Sequence, residues 1–448
     1  MLEVGWASQD MTPVRPAMIL GQKHLRVGSQ AMDPLMATAM VLREPQSRDC
    51  AVMISCDLAS ISCSILDSVS SQLSAQLPDL TPEKVVMNGT HTHTSLVTVE
   101  GSYTHPGGDV MTAVECEAWV IDHAVQAGIE AWQSRQPGQI GRAFGHAVVG
   151  HNRYAAYAGG EAQMYGTTNR ADFIGISGYE DHSLDMLFTW QPDGRLSGVA
   201  LAIPCPAQVD EGLSVFSADF WHEIRLDLRQ RLGQGLQILP LCAAAGDQSP
   251  HFLLYQKQEA EMRERYGLSE REEIAERVGI AVERALQSTR PETEPVRFRH
   301  RKRRVELSPV SIERQQRDWA LSELERYHPN TDHESWWPRG LQWVIDCFDG
   351  VERLSPVQAE LHFIRLGDAI IATNPFELFI DYSHRIKARS QAAQTIVIQL
   401  AGPGSYLPTE RALKAGGYGA NPVVCPVGHQ GGSELVETTL DVITELFT

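Results

Sequence analysis

Five strongly apolar segments are the feature that most restricts how this chain can fold. They read AVMISCDLA at 51–59, KVVMNGT at 84–90, GVALAIPC at 198–205, LQILPLCAAAG at 236–246 and DAIIATNP at 368–375. Because each segment is apolar almost without interruption, we expect strands that are buried on both faces. Strands of this kind are typical of layered α/β folds. The sequence therefore predicts an α/β fold with mixed buried sheets flanked by helices.

Helices are predicted between and after these strands, at 62–77, 112–134, 219–232, 256–287, 312–327 and 433–447. Gly267 interrupts the fourth helix, whose many charges are best explained as a solvated face. Residues 146–180 are rich in Gly, Tyr and Asn and lack periodicity, which is typical of a loop that covers a site. We predict one large domain over 1–448, with an irregular insertion at about 146–180 and a helical insertion at about 255–330.

The charge and hydropathy of the chain exclude several classes of protein. A formal net charge of -18 argues against a nucleic-acid partner, and the basic stretch at 297–304 is better explained as an exposed edge strand. No apolar stretch reaches the roughly eighteen residues of a membrane span, so we expect no stable membrane insertion. The opening residues MLEVGWASQDMTP have no basic region followed by an apolar one, which favours a cytoplasmic protein with reduced, mostly buried cysteines.

Two histidines follow the second apolar segment. In VVMNGTHTHTSL, residues 85–96, His91 and His93 are separated by one residue. Alternate residues of an extended chain project to the same side, so both imidazoles could converge on a metal ion. A solvated or hydrogen-bonded histidine pair is the alternative.

Polar residues also follow the fourth and fifth apolar segments. In CAAAGDQSPH, Ser249 could act as a nucleophile or a hydrogen-bonding group, or could simply cap a turn. Glu377 is the only charge in ATNPFELF, so its carboxylate must be protonated, metal-bound or paired with a cation such as Arg385 or Lys387.

Two tyrosines close this set of polar positions. Tyr406 and Tyr418 flank a polar turn in GSYLPTERALKAGGYGA, near the end of the sequence. Packing in the core or on the surface is the alternative explanation for two tyrosines at this spacing.

Together these segments resemble the neutral ceramidases and their wider superfamily of metal-dependent hydrolases. That family carries, in the same order, a GTHTHSGP-type segment, a GDxSPN-type segment, a Glu after an apolar strand and a late segment with spaced tyrosines. The opening GWASQDMTP is also similar to the family's aDITP. The resemblance implies a ceramidase-like catalytic domain across nearly the whole chain.

The resemblance also implies roles for individual residues. It implies zinc ligands at His91, Glu377 and Tyr406. It implies active-site roles for His93, Arg153, Ser249 and Tyr418, with Arg153, in GHNRY, contacting the polar head of the substrate.

The fourth zinc ligand of the family is a histidine in an HP dipeptide, and here the matching segment AIPCPAQ has Cys205 instead. A cysteine thiolate is a competent zinc ligand, so we predict that Cys205 completes the metal shell. His222, in SADFWHEIR, is the alternative ligand, and loss of the metal is the third possibility. The family's SPN asparagine is also replaced, by His251.

From these residues we expect a zinc-dependent hydrolase of an amide or related polarised bond in a small polar metabolite or glycoconjugate. His93 would be the general base, Arg153 and Tyr418 would stabilise the developing oxyanion, and Ser249 would orient the substrate. No segment corresponds to the family's C-terminal immunoglobulin-like domain, so ceramide itself is not the expected substrate. A lyase or isomerase acting on a sugar or cyclitol, and a non-catalytic binding protein, are the alternatives. The sequence leaves the oligomeric state open, and a homo-oligomer is one possibility.

Overall fold

The structure is a computed structural model that describes residues 1–292, 295–328 and 336–448. The strands are β1 (Leu2–Asp10), β2 (Ala17–Ile19), β3 (Arg26–Gly28), β4 (Met36–Arg43), β5 (Cys50–Cys56), β6 (Val85–Gly89), β7 (Gln136–His146), β8 (His151–Asn152), β9 (Tyr154–Tyr157), β10 (Ala162–Met164), β11 (Phe173–Ile176), β12 (Ser183–Trp190), β13 (Leu196–Ile203), β14 (Gln237–Cys242), β15 (Gln248–Ser249), β16 (Phe298–Leu307), β17 (Val357–Leu366), β18 (Ala369–Thr373), β19 (Glu377–Leu378), β20 (Gln394–Ile398) and β21 (Tyr406–Leu407). The α-helices are α1 (Cys63–Gln76), α2 (Ala113–Gln133), α3 (Phe220–Leu232), α4 (Gln256–Tyr266), α5 (Glu270–Ser288), α6 (Arg314–Arg326), α7 (Trp336–Phe348), α8 (Ile380–Arg389), α9 (Glu410–Ala415) and α10 (His429–Phe447).

Two sheets form the centre of the molecule. The larger has eight strands in the order β14-β13-β12-β7-β1-β4-β5-β6, and the smaller has four in the order β16-β17-β18-β20. Three neighbouring pairs are parallel, namely β5 with β6, β13 with β14 and β18 with β20, and the other pairs are antiparallel. Both sheets are therefore mixed, as predicted.

The apolar side chains show how these sheets are layered. One buried cluster joins the larger sheet, through Met40 and Leu241, to the smaller sheet, through Phe298 and Ile371. Separate apolar clusters cover the outer faces of the two sheets. Helices α1, α2, α3 and α5 pack on the larger sheet, and helices α6, α7, α8 and α10 pack on the smaller one. The five apolar segments correspond to β5, β6, β13, β14 and β18, whose residues are almost all buried, so the predicted α/β layers are confirmed.

The structure shows which elements the two predicted insertions contain, and their status as insertions stays a prediction. Residues 146–180 contain β8 to β11, three of which form a small sheet in the order β10-β9-β11. The helical insertion at about 255–330 contains α4, α5 and α6 with β16 between them, while 293–294 and 329–330 fall outside the described residues. Over the described ranges, no helix combines the length and apolarity that crossing a bilayer demands.

Candidate active site

The predicted site residues follow the carboxyl ends of central strands. His91 and His93 follow β6, Ser249 follows β14, and Glu377 follows β18. A bridge between Ala243 and Ile398 joins the ends of β14 and β20, so the loops of both sheets emerge together. Ligand sites of α/β proteins commonly lie at the carboxyl ends of their strands.

His91 is held in a strained conformation at this edge. Its φ of 62° lies in the left-handed region, which non-glycine residues seldom adopt. Its Nδ1 lies 2.6 Å from the Ala59 carbonyl, so Nδ1 must donate a proton, while Nε2 faces a Glu377 carboxylate oxygen at 3.3 Å. Burial favours a lower pKa for His91, but the Glu377 carboxylate outweighs burial and the pKa is raised.

Glu377 and Tyr406 lie side by side because β19 and β21 pair in parallel with these two residues in register. The Tyr406 hydroxyl hydrogen-bonds the carboxylate. Burial would raise the pKa of Glu377, yet His91 and Arg153 together with this hydroxyl lower it, so Glu377 is ionised. The carboxylate is thus paired, but with His91 rather than with Arg385 or Lys387.

Arg153 supplies a buried positive charge beside these groups. Its side chain donates to the Tyr406 hydroxyl at 3.0 Å and to the Gly246 carbonyl at 2.9 Å. It also donates to Gln208 Oε1 at 3.4 Å. Although burial opposes the charge, the surrounding phenols and Glu377 raise the pKa of Arg153 well above its ordinary value. Arg153, for which the resemblance implies an active-site role, therefore lies within the cluster.

His93 lies beside His91, with 4.9 Å between the ring centroids. Its Nδ1 is 3.1 Å from Glu211 Oε2, and its Nε2 is 2.7 Å from the side-chain nitrogen of Gln208. The other carboxylate oxygen of Glu211 is 3.2 Å from His251 Nε2. Burial lowers the pKa of His93, so the ring is a neutral base near neutral pH.

Ser249 is completely buried and accepts two hydrogen bonds at its hydroxyl oxygen. One comes from the Tyr165 hydroxyl at 3.1 Å and the other from the His251 backbone N–H at 3.1 Å. Tyr165 belongs to the segment predicted to cover the site, and its N–H also bonds the Arg153 carbonyl at 2.8 Å. This part of the segment therefore forms one wall of the cluster.

Tyr418 connects the cluster to a cavity of about 360 Å³. Its ring packs edge-on against Tyr406 at 5.9 Å and stacks on Trp337 at 6.1 Å. Lys23 lies over the Trp337 ring at 4.2 Å, and Trp319 also lines the cavity. Space with aromatic walls and a cationic group therefore adjoins the buried polar cluster.

Cys205 does not join these residues. Its thiol donates to the Pro206 carbonyl at 3.4 Å, within an apolar cluster that includes Val149 and Phe220, and burial raises the pKa of the thiol. Nor does His222 join them, since among the described residues no three His, Cys, Asp or Glu side chains are grouped as a metal would require. Cys205 is therefore not grouped with His91 and Glu377 among the described residues, and its role as the fourth ligand stays a prediction.

The remaining donor set can still be tested for its fit to zinc. His91 offers Nε2, since its Nδ1 proton is fixed by the Ala59 carbonyl, and this is the usual way in which a ligating imidazole is oriented. Glu377 and Tyr406 add a carboxylate and a phenol oxygen. Three protein ligands are the number that a catalytic zinc site uses, and zinc accepts both nitrogen and oxygen donors. The residues therefore fit the metal without Cys205.

Sequence reasoning missed four residues of this site. They are Tyr165, Gln208, Glu211 and Trp337. For two of them a signal existed, because Gln208 and Glu211 follow the end of β13, as the predicted site residues follow β6 and β14. Tyr165 lies in a segment without periodicity, and Trp337 shares the buried face of α7 with Leu341 and Val344, so only their contacts identify them as residues of the site.

The fold was compared with known proteins. Neutral ceramidase from Pseudomonas aeruginosa, known from its crystal structure, is similar with a TM-score of 0.73 and 15% sequence identity, over 99% of this chain and 74% of that chain. A ceramidase complexed with C2 is similar with a TM-score of 0.71 and 15% identity, over 100% of this chain and 75% of that chain. The sequence matches no family model and no curated protein. The protein therefore has the fold of the neutral ceramidases, which its sequence motifs predict.

Proposed function

We propose that this protein is a metal-dependent hydrolase that cleaves an amide or related polarised bond in a small polar metabolite or glycoconjugate. The observation that carries the proposal is the meeting of His91, Glu377 and Tyr406 around one point, with the Arg153 guanidinium beside them. The similarity to solved ceramidases supports hydrolysis as the class of reaction.

His91, Glu377 and Tyr406 would hold the metal, for which zinc is the best match to one imidazole and two oxygen donors. When bound, zinc polarises a carbonyl and brings the pKa of water toward neutrality. The negative charge of Glu377 also balances the positive charge of Arg153. The Arg153 guanidinium lies close to the three metal-binding side chains and lowers the pKa of the Glu377 carboxyl group.

The other side chains of the site have separate roles in the reaction. His93 is a neutral imidazole that takes a proton from the attacking water and returns it to the leaving nitrogen. Arg153 directs buried N–H groups toward the site and offsets negative charge that develops on the carbonyl oxygen. Ser249 and Tyr165 form a fixed hydroxyl pair at 3.1 Å that orients the substrate.

The cavity beside Tyr418 favours a polar substrate over a lipid. Lys23, Gln316 and Asn421 place polar groups around it, while Trp319 and Trp337 provide flat apolar surfaces. A sugar ring presents one apolar face and a polar edge, and so matches walls of this kind. N-Acylated amino sugars are therefore the first substrates to test.

The first experiment measures metal content and turnover in the protein purified without chelator or metal-affinity resin. We expect about one zinc per chain in the wild type, in agreement with a site of three protein ligands. His91→Ala should lose both the zinc and the release of amine from N-acetylglucosamine or 4-nitroacetanilide. Cys205→Ser is the matched control, and it should keep the zinc because its thiol lies outside the cluster.

Each other outcome has a definite meaning. Full activity in His91→Ala would refute the proposal, and so would a wild type without metal. Loss of zinc in Cys205→Ser would restore Cys205 to the metal shell. Incorporation of deuterium from heavy water into a substrate carbon, without release of an amine, would indicate a lyase or isomerase instead.

A further inference from the structure

Five polar side chains form one continuous chain of hydrogen bonds through the site. Arg153 donates to Gln208 Oε1 at 3.4 Å, and the Gln208 side-chain nitrogen lies 2.7 Å from His93 Nε2. His93 Nδ1 lies 3.1 Å from one oxygen of Glu211, whose other oxygen lies 3.2 Å from His251 Nε2. The predicted catalytic base is thus the central member of the chain.

The direction of donation is fixed from the arginine end. A guanidinium carries only donors, so Gln208 must turn its oxygen toward Arg153 and its NH₂ group toward His93. His93 Nε2 must then accept, which leaves the ring proton on Nδ1. That proton can only be donated to the Glu211 carboxylate, which has no proton of its own. Burial favours a higher pKa for Glu211, but the two histidines outweigh burial and lower it.

A second arginine fixes the distance between His93 and Glu211. Arg26 is 4% exposed and donates to the backbone carbonyls of His93 at 2.6 Å and of Glu211 at 2.7 Å. The loops that carry the imidazole and the carboxylate are therefore held by one buried guanidinium. Because Arg26 binds the backbone of both residues, the two side chains start from fixed positions when they form their hydrogen bond.

We propose that Glu211 and Gln208 are positioning residues that hold His93 as the neutral tautomer with its proton on Nδ1, so that the basic lone pair lies on Nε2, where the attacking water takes the place of the Gln208 N–H. The catalytic part of this inference rests on the proposed function. In the step itself water replaces the Gln208 N–H at Nε2 and one of its O–H bonds breaks. Its proton goes to Nε2 while its oxygen bonds to the carbonyl carbon, and the same proton later goes to the leaving nitrogen as the C–N bond breaks. Glu211 stays a carboxylate throughout and faces the imidazolium, while His251 occupies its second oxygen.

The tautomer can be measured without a substrate. Protein labelled with ¹⁵N-histidine is observed by NMR at about pH 7.5, and His93→Gln and His251→Gln assign the two rings. We expect a protonated Nδ1 and an unprotonated Nε2 for His93. In Glu211→Gln only one acceptor oxygen remains, so the two histidines cannot both donate to it, and the ring signals of His93 should change.

Asp210→Asn is the matched control. It removes a neighbouring carboxylate that pairs with Arg271 at 3.1 Å and not with His93, so the His93 signals should stay as in the wild type. A proton on Nε2 of His93 in the wild type would refute the proposal. His93 signals in Glu211→Gln identical to those of the wild type would also refute it.

Turnover tests the catalytic part separately. With the amide probe that the wild type cleaves, Glu211→Gln should lower kcat by about 10²–10⁴-fold, with KM changed by less than about 3-fold. Unchanged kcat in Glu211→Gln would refute the positioning role. If the wild type cleaves no amide but the Nδ1 proton is present and depends on Glu211, the proposed function fails while the positioning of His93 stands.

Discussion

His300 and His362 form a buried imidazole pair on β16 and β17, outside the active site. His300 Nδ1 lies 2.9 Å from the Cys50 carbonyl, and its Nε2 lies 3.0 Å from His362 Nδ1. The first contact requires a proton on Nδ1, so Nε2 of the neutral ring accepts from His362. Burial, aided by the nearby Lys84 charge, lowers the pKa of His300 from 6.5 to about 4.

This shift predicts how stability depends on pH. Between about pH 6.5 and about pH 4 the unfolded chain binds a proton at His300 that the folded chain does not, so the free energy of unfolding falls as the pH falls. From about pH 7 to about pH 5 the loss should be about 2 kcal/mol greater in the wild type than in His300→Gln, as measured by urea unfolding. The exposed His105→Gln should keep the wild-type dependence, and equal losses in wild type and His300→Gln would contradict the assignment.

At the scale of elements, the predicted helix over 256–287 is two helices with different surroundings. Gly267, with a φ of 67°, ends α4, none of whose residues is buried. Ser269 then begins α5 with a capping box to Glu272. The face of α5 that carries Val278 is buried, so only α4 matches the predicted solvated helix. The sequence places the break correctly because glycine and the Ser-x-x-Glu pattern act locally.

The capping box gives a prediction for this element. Ser269→Ala removes the acceptor of the Glu272 N–H, and we expect a loss of about 1 kcal/mol in the free energy of unfolding, measured in urea. Glu272→Gln is the matched variant, and it should cost less than about 0.5 kcal/mol because a glutamine can also complete the box. Equal effects of the two substitutions would show that α5 does not depend on this cap.

At the scale of the molecule, a buried ion pair connects the layers. Arg225 of α3 makes two hydrogen bonds, of 2.8 and 3.0 Å, to the Asp57 carboxylate at the end of β5. Asp57 is 0% exposed and also accepts from the Met36 N–H at the start of β4. The Asp57 carboxylate therefore links α3, which packs on β12 and β13, to β4 and β5 in the other half of the large sheet.

Replacing one residue of this ion pair should lower the free energy of unfolding more than replacing both. Asp57→Asn leaves the Arg225 guanidinium buried without its charge partner, so we expect a loss of about 3–5 kcal/mol in the free energy of unfolding. The double variant Asp57→Asn with Arg225→Met should lose less than the sum of the two single variants. A double-mutant cycle in urea measures this difference, and strict additivity would contradict a direct coupling.

The sequence by itself determined the layers and named most residues of the candidate site. Continuous apolar runs identify buried strands because strands covered on both faces exclude polar residues, and His91, His93 and Glu377 stand where such runs end. Only the tertiary structure decided which side chains meet. Cys205 turns to its own neighbour's carbonyl, while Glu211 reaches His93. The physical reason is that side-chain directions in loops follow from local backbone angles and distant contacts, which have no period in the sequence.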